Sequence, residues 1–123
     1  MAVKRYFFDS YALIEIGKNN PAYLKYADSL VTITIFNLVE IMYSVFQDLG
    51  EEKAREVHEK FQDCVQDFDE SIIMEALKTK KIYKKRDLSY ADCLGYAFAK
   101  KKGLLFLTGD EGFKDLANVE FVK

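Results

Sequence analysis

Hydrophobic and polar residues follow one another along the chain in blocks that predict strands separated by amphipathic helices. Residues 3–8 form an apolar run that ends at Asp9, and residues 104–107 form a second one. Continuous runs of β-forming residues are typical of strands buried on both faces of a parallel sheet. The chain is therefore predicted to be an α/β protein with helices on both faces of its sheet. Further strands are predicted at residues 30–33, 65–68 and 119–122.

Capping residues and the spacing of apolar side chains predict the helices between these strands. Asn20 with Pro21, Thr34 and Ser89 are predicted N-terminal caps, and Gly103 is a predicted helix stop. The predicted helices are one directly after Asp9 and residues 21–28, 35–49, 51–66, 71–84 and 90–102. In the predicted helix 35–49, the core positions are Val39, Met42, Val45, Phe46 and Leu49. In the predicted helix 71–84, they are Ile73, Ala76, Leu77 and Tyr83.

Length and composition agree with one globular domain, residues 1–123. Half of the residues are hydrophobic and 31% are charged, as is typical of soluble proteins. No segment has the pattern of a secretion signal or a membrane span, so a cytoplasmic protein is expected. Cys64 and Cys93 form no CxxC motif, which favours two packed apolar side chains over a disulfide or a zinc site.

The charge pattern excludes a protein that coats nucleic acid through a general positive field. The net charge is −2, and the pI is near 5.5. Basic residues are nevertheless concentrated between residues 78 and 86. A solvated helix end is the ordinary interpretation of such a run. The alternative is a rim that contacts phosphate groups, for which the candidates are Lys84, Lys85 and Arg86.

Two acidic residues follow strands at the same predicted edge of the sheet. Asp9 follows the first strand, and Asp110 follows residues 104–107 after two intervening residues. Ligands of open α/β sheets bind at the carboxyl ends of the strands, so both positions are candidates for chemistry. Asp is also a preferred N-cap, and a capping role is the alternative interpretation of Asp9.

Two further acids lie in predicted helices. Glu40 shares a narrow polar stripe with Asn37 and Ser44 in the most apolar helix, where a buried carboxylate would need a partner. A surface stripe is the alternative. Asp92 lies three residues after Ser89, a spacing that a capping box explains by itself. The small residues beside Asp92, which would let its helix approach the sheet closely, are Ala91, Gly95 and Ala99.

Convergence of these four carboxylates would require a compensating positive charge. Two unit charges about 4 Å apart at an effective dielectric constant of about 20 interact by about 4 kcal/mol. Protons could offset this repulsion, and so could a hard divalent cation such as Mg²⁺ or Mn²⁺, which prefers oxygen ligands. The only histidine, His58, lies on the solvated side of a helix, which excludes catalysis by two histidines. GxSxG, P-loop and GxGxxG motifs are also missing from the sequence.

In combination, these residues resemble the PIN domains, and most closely the small VapC-type toxin ribonucleases. The resemblance extends over essentially the whole chain. Gly95 replaces the alanine that is usual in the family's DxxIAAxA helix. The matching segments are Asp9-Ser10, Glu40, the sequence DCLGYAFA from Asp92 to Ala99, and the sequence TGDEGF from Thr108 to Phe113, which corresponds to the family's TxDxxF.

The resemblance implies a three-layer α/β/α fold whose central, mostly parallel sheet has four or five strands. It also implies a catalytic site in which one or two Mg²⁺ or Mn²⁺ ions activate water for attack on an RNA phosphodiester, leaving a 5′-phosphate and a 3′-hydroxyl. Asp9 and Asp92 would bind metal directly, with Glu40 and Asp110 binding directly or through water. The residues expected to orient these carboxylates are Ser10, Thr108 and Asn37.

The implied function is a metal-dependent endoribonuclease acting on single-stranded or structured RNA, as the toxin of a toxin-antitoxin pair. A small antitoxin and a second copy of the chain are the implied partners, and Lys84, Lys85 and Arg86 the implied RNA contacts. The alternative is a PIN-like module that binds RNA or protein without catalysis. A phosphoacceptor domain would need an adjacent acidic pair, and a haloacid-dehalogenase-like phosphatase would need DxD, whereas Asp9 is followed by Ser10 and Tyr11.

Overall fold

The computed structural model describes residues 4–123, and within them a parallel sheet of three strands. The strands are β1 (Tyr6–Phe8), β2 (Leu105–Thr108) and β3 (Val119–Phe121), in the order β1-β2-β3. Phe7 lies opposite Phe106 across β1 and β2, and β2 and β3 are also parallel. The predicted parallel α/β architecture is confirmed, while the predicted strand residue Val3 lies outside the described residues.

The predicted count of four or five strands is wrong for residues 4–123. In place of strands at 30–33 and 65–68, the chain forms one isolated parallel bridge between Ile33 and Val65. Thr32 accepts a single hydrogen bond from the backbone N–H of Phe8, at 3.0 Å. Because Thr34 begins the capping box of the next helix, the chain turns away from the sheet directly after this bridge.

Five α-helices are formed by residues 4–123. Two of them begin and end where their caps predict, after Thr34 and after Ser89, and Gly103 ends the second with φ 69°. Asn20 and Pro21 begin a short 3₁₀ helix instead of an α-helix. No helix in this part of the chain combines the length and hydrophobicity that crossing a membrane requires. The helices are α1 (Ser10–Gly17), α2 (Ile35–Leu49), α3 (Glu51–Phe61), α4 (Glu70–Ile82) and α5 (Tyr90–Lys102).

Each face of the sheet supports its own hydrophobic core. Phe7 and Phe106 point to one face, where residues of α4 and α5 pack against them. Phe8 and Leu107 point to the other face, where residues of α1 and α2 cover them. Successive residues of a strand point to opposite faces, so these pairs separate the two cores. The structure therefore has the predicted three layers.

The predicted core-facing side of α2 is only partly correct, since Met42 packs against the core and Val45 is half-buried while the other predicted residues are exposed. Val39 is 58% exposed, and Phe46 and Leu49 are also exposed, whereas the helix buries Leu38 and Ile41. Because α2 is apolar on almost every side, its hydrophobic pattern does not determine which side packs on the sheet. The same error affects α4, in which Ala76 is buried as predicted while the exposed predicted core residues are Ile73 and Leu77.

Gly95 allows α5 to lie directly on the sheet. A methyl group at this position would lie 2.6 Å from Cε1 of Phe7 and 3.1 Å from Cε1 of Phe106. In Gly95→Ala, overpacking should cost about 1–3 kcal/mol. The better helix propensity of alanine offsets about 1 kcal/mol of this cost, so we expect the free energy of unfolding to fall by up to about 2 kcal/mol. Urea denaturation followed by circular dichroism measures it.

Gly17 provides the matched control for this prediction. It is the last residue of α1, and no heavy atom lies within 4 Å of the position that its Cβ would occupy. Gly17→Ala should therefore leave stability unchanged or raise it by up to about 1 kcal/mol. Equal gains at Gly17 and Gly95 would contradict the close contact between α5 and the sheet.

Candidate functional site

The four predicted acids line one cleft of about 460 Å³. Asp9 follows β1, and Asp110 lies two residues beyond β2, so both are at the carboxyl edge of the sheet. Glu40 reaches the cleft from α2, and Asp92 from the first turn of α5. The remaining lining residues are Ser10, Tyr11, Gly109, Glu111 and Lys123.

Asp9 is a helix cap and a lining residue of the cleft at the same time. Its side chain is almost fully buried, with 3% of the residue exposed. Oδ1 accepts the backbone N–H of Ser10 at 2.9 Å, which caps α1. Oδ2 accepts the hydroxyl of Thr108 at 2.7 Å. The two interpretations of Asp9 in the sequence are therefore compatible, because one carboxylate has enough lone pairs for both contacts.

Asp92 and Asp110 are also capping residues. Oδ2 of Asp92 accepts the N–H of Ser89 at 2.9 Å in the predicted capping box. Oδ1 of Asp110 accepts the N–H of Gly112 at 2.9 Å, at the start of a 3₁₀ turn. Each carboxylate thus uses one oxygen for its local cap, and its other oxygen accepts no hydrogen bond from the described residues.

Glu40 is held by a chain of buried polar side chains. Its Oε1 accepts the hydroxyl of Ser10 at 2.6 Å. The Ser10 oxygen accepts an N–H of Asn37 at 3.1 Å, and Oδ1 of Asn37 accepts the N–H of Thr34 at 3.0 Å. Glu40 is exposed, as the alternative of a surface stripe expects, and its carboxylate nevertheless has a hydrogen-bond partner in Ser10.

The electrostatics of the cleft disfavour negative charge. Burial, followed by the charge of Asp92, raises the pKa of Asp9 to about 7, against the lowering effect of hydrogen bonds from Thr108 and Ser10. Burial also raises the pKa of Asp92, with smaller contributions from Asp110 and Glu40. None of these four carboxylates forms an ion pair with a basic residue within the described range.

The donor set fits a hard divalent cation. Carboxylate oxygens are the ligands that Mg²⁺ and Mn²⁺ prefer, and a cation would replace the missing basic partner of buried Asp9. In the orientations of the structure, no three His, Cys, Asp or Glu side chains of residues 4–123 are arranged to hold one ion. Each of the four carboxylates accepts a hydrogen bond from a neighbouring donor, and three of these bonds are helix or turn caps.

One of the three predicted basic residues, Arg86, contacts the segment that follows Asp110. Arg86 donates to the carbonyl of Gly112 at 3.1 Å and pairs with Asp115 at 2.6 Å, so its charge has partners within the fold. Lys84 and Lys85 are exposed and form no ion pair with another described residue. Their contact with RNA stays a prediction.

Four lining residues were missed by the sequence analysis. Tyr11 and Glu111 are close in sequence to Asp9 and Asp110, and Gly109 directly precedes Asp110, so proximity was the available signal. No pattern indicated Lys123, which pairs with Glu111 across the cleft at 3.3 Å.

Neither cysteine and no histidine is among the described residues that line the cleft. Cys93 is packed in the core between α5 and the sheet, and burial raises the pKa of its thiol to about 11. Cys64 is half-buried, and both thiols are free, as predicted. His58 is exposed on α3.

Comparison with known proteins assigns the family. The family model of the PIN domain matches residues 6–119. The chain belongs to the PIN domain family. Among curated proteins, none matches the chain.

Solved structures with this fold include several VapC proteins. The sarcin-ricin loop cleaving toxin VapC20 of Mycobacterium tuberculosis has a TM-score of 0.77 and 17% identity, with 96% of this chain and 99% of that chain covered. A toxin-antitoxin complex from Klebsiella pneumoniae gives a TM-score of 0.71 at 17% identity, covering 95% and 96%. DNA-bound VapBC from Salmonella typhimurium gives 0.71 at 16% identity, covering 97% of each chain.

Proposed function

We propose that this chain is a metal-dependent endoribonuclease that hydrolyses RNA phosphodiester bonds. The observation that carries the proposal is the cleft at the carboxyl edge of the sheet, where four carboxylates without basic partners among residues 4–123 come together. Membership of the PIN family and the similarity of the fold to VapC toxins support the same activity.

Asp9, Glu40, Asp92 and Asp110 are the residues that would hold one or two Mg²⁺ or Mn²⁺ ions. A bound divalent cation supplies an activated water and stabilises negative charge on a phosphate in this class of hydrolysis. The oxygens of Asp92 and Asp110 that make no capping hydrogen bond are the ones available for it.

Neighbouring polar residues would position these carboxylates. Thr108 donates to Asp9 and accepts the N–H of Asp110 at 3.0 Å, so one hydroxyl connects two of the acids. Ser10 connects Glu40 to the buried amide of Asn37. Hydrogen bonds of this kind restrict the rotation of ligand side chains and reduce the entropy lost when a ligand binds.

We also propose that the chain is the toxin of a toxin-antitoxin pair and that it forms a homodimer. Similar structures from Klebsiella pneumoniae and Salmonella typhimurium are toxin-antitoxin complexes, which supports a small antitoxin partner. Exposed apolar side chains of α2, such as Val39 and Phe46, support association with a protein. Expression of the chain is expected to arrest growth of the host cells, and unimpaired growth would contradict the toxin proposal. In analytical ultracentrifugation the chain is expected to sediment as a dimer, and a monomer would contradict the homodimer proposal.

Cleavage of a labelled single-stranded RNA, with and without EDTA, tests the nuclease proposal. We expect cleavage in Mg²⁺ or Mn²⁺, its loss in EDTA, and its return when excess metal is added back. Equal cleavage in EDTA would contradict the metal requirement. Binding of RNA without cleavage in either metal would favour the alternative, a PIN-like binding module.

A further inference from the structure

Tyr11 is a lining residue of the acidic cleft with no part in the proposed chemistry. It is the second residue of α1, two positions after Asp9, and it is half-buried. No other aromatic side chain is among the residues that line this cleft. Its ring is therefore the one aromatic group among the described residues that line the cleft.

The backbone at Gly109 fixes one side of the Tyr11 ring. A methyl group at Gly109 would overlap Cε1 of Tyr11, so only glycine allows the ring to lie against the turn before Asp110. The ring of Tyr23 packs beside it at a centroid distance of 6.4 Å. An aromatic side chain held in this way loses little conformational entropy when a ligand stacks on it.

The hydroxyl of Tyr11 is not used to stabilise the fold. Tyr23 and Tyr96 donate their hydroxyls to backbone carbonyl groups, and Tyr6 and Tyr26 donate theirs to Glu120. Tyr11 makes no such bond with the residues that the structure describes. Part of the ring packs against Tyr23 and the core between the sheet and α1 and α2, while Tyr11 is still among the residues that line the cleft.

The charges of the cleft indicate how a nucleic acid would gain affinity there. Its lining includes five carboxylates, the four site acids and Glu111, and a single basic residue, Lys123, which is paired with Glu111. A phosphate backbone is repelled by such a lining wherever no cation intervenes. The metal ions of the proposed function would attract only the phosphate that contacts them, so an uncharged contact would add affinity for the adjoining nucleotide. Stacking of a base on an aromatic ring is such a contact.

We propose that Tyr11 is a substrate-binding residue whose ring stacks on a nucleobase of single-stranded RNA next to the scissile phosphate. This inference rests on the proposed ribonuclease function, which supplies the substrate class. Stacking requires the face of the ring and not its hydroxyl, so Phe can replace Tyr11 and an aliphatic residue cannot.

Binding and cleavage by Tyr11→Leu and Tyr11→Phe test the proposal. Binding is measured in the Asp92→Asn background, which prevents turnover, with fluorescein-labelled oligoadenylate and its abasic counterpart. We expect Tyr11→Leu to weaken binding of oligoadenylate about tenfold to a hundredfold, as loss of one stacking contact does. Tyr11→Phe should stay within about twofold, because its ring provides the same stacking face. The leucine variant should also lose the preference for oligoadenylate over the abasic strand, which a purely structural role would not change.

Kinetics with the catalytically intact chain separate this inference from the proposed function. Tyr11→Leu should raise KM more than it lowers kcat, since stacking contributes to binding of substrate and transition state alike. If Tyr11→Leu cleaved RNA at the wild-type rate and bound it with unchanged affinity, only the inference about Tyr11 would be overturned. If the unmodified chain cleaved no RNA, the proposed function itself would be overturned. Should thermal melting show that Tyr11→Leu is unfolded, Tyr11→Met carries the same test with a flexible side chain of similar length.

Discussion

Asp92→Asn is expected to abolish metal-dependent RNA cleavage while the protein stays folded. The substitution removes the negative charge of a proposed metal ligand and retains a side-chain oxygen that can accept the N–H of Ser89. Loss of a residue that only orients a metal ligand typically costs 10-fold to 100-fold, so loss of a ligand should reduce the cleavage rate by more than about a hundredfold. Single-turnover cleavage of a labelled RNA measures the rate, and circular dichroism verifies the fold.

Asp69→Asn is the matched control for this experiment. Asp69 caps α4 by accepting the N–H of Ile72 at 3.1 Å, so it combines a carboxylate with a capping role outside the cleft. The control should cleave RNA at the wild-type rate. If Asp92→Asn and Asp69→Asn were equally active, Asp92 would be only a helix cap. If both variants stayed active in EDTA, the activity would come from a contaminating nuclease.

The second large effect is expected for Asp9→Asn in metal-free buffer, where the substitution should stabilise the protein at high pH. The pKa of Asp9 rises from 3.8 to about 7 on folding, so the native state binds more protons than the unfolded state between these values. Stability contributed by this group is complete below pH 3.8, declines as the pH rises, and is lost above about pH 7. Asparagine does not titrate and avoids this loss.

The size of the effect follows from the pKa difference. Each pKa unit corresponds to about 1.4 kcal/mol, so Asp9→Asn should gain up to about 4 kcal/mol at pH 8 and little at pH 4. Urea denaturation at both pH values in EDTA measures the gain. Added Mg²⁺ or Mn²⁺ should reduce it, because a cation that binds the native carboxylates stabilises the wild type.

Asp69→Asn again supplies the contrast. Hydrogen bonds, above all from Ser71, lower the pKa of Asp69, so its contribution to stability is present above pH 3.8 and is lost as the pH falls. The Asp69 variant should therefore gain no stability at pH 8. Lower stability of Asp9→Asn at both pH values would mean that capping of α1 outweighs the electrostatic cost of the buried carboxylate.

Local signals predicted the helix boundaries better than they predicted the packing. The caps at Thr34 and Ser89 involve residues within three positions of one another, and the helices that they begin have the predicted limits. Hydrophobicity alone could not decide that Leu38 is buried and Val39 exposed in α2, because both residues are apolar and they are adjacent in the sequence. Which of them is buried depends on the approach of β1 and β2, which lie far away along the chain.

The four acids of the cleft were predictable from the sequence, whereas the rest of its lining and its geometry were not. Strand ends identified Asp9 and Asp110, and the polar stripe on an apolar helix identified Glu40. Nothing in the sequence distinguished Tyr11 from other residues of α1. Its position depends on close approach to Gly109, where a larger side chain would overlap the ring. The contacts of Arg86 with Gly112 and Asp115 were also unpredictable, because these residues are distant from the basic residues 78–86 in the sequence.

By itself, the sequence determined the positions of the three strands that the structure forms, the caps that limit α2 and α5, and the acids that follow β1 and β2. These features arise from contacts among residues that are close in the chain, so a local pattern is sufficient to reveal them. Only the tertiary structure decided that the described sheet has three strands, that Asp9 is buried among other carboxylates, and that Tyr11 faces the cleft. Each of these depends on how distant segments pack, because burial and electrostatic repulsion are properties of the assembled fold.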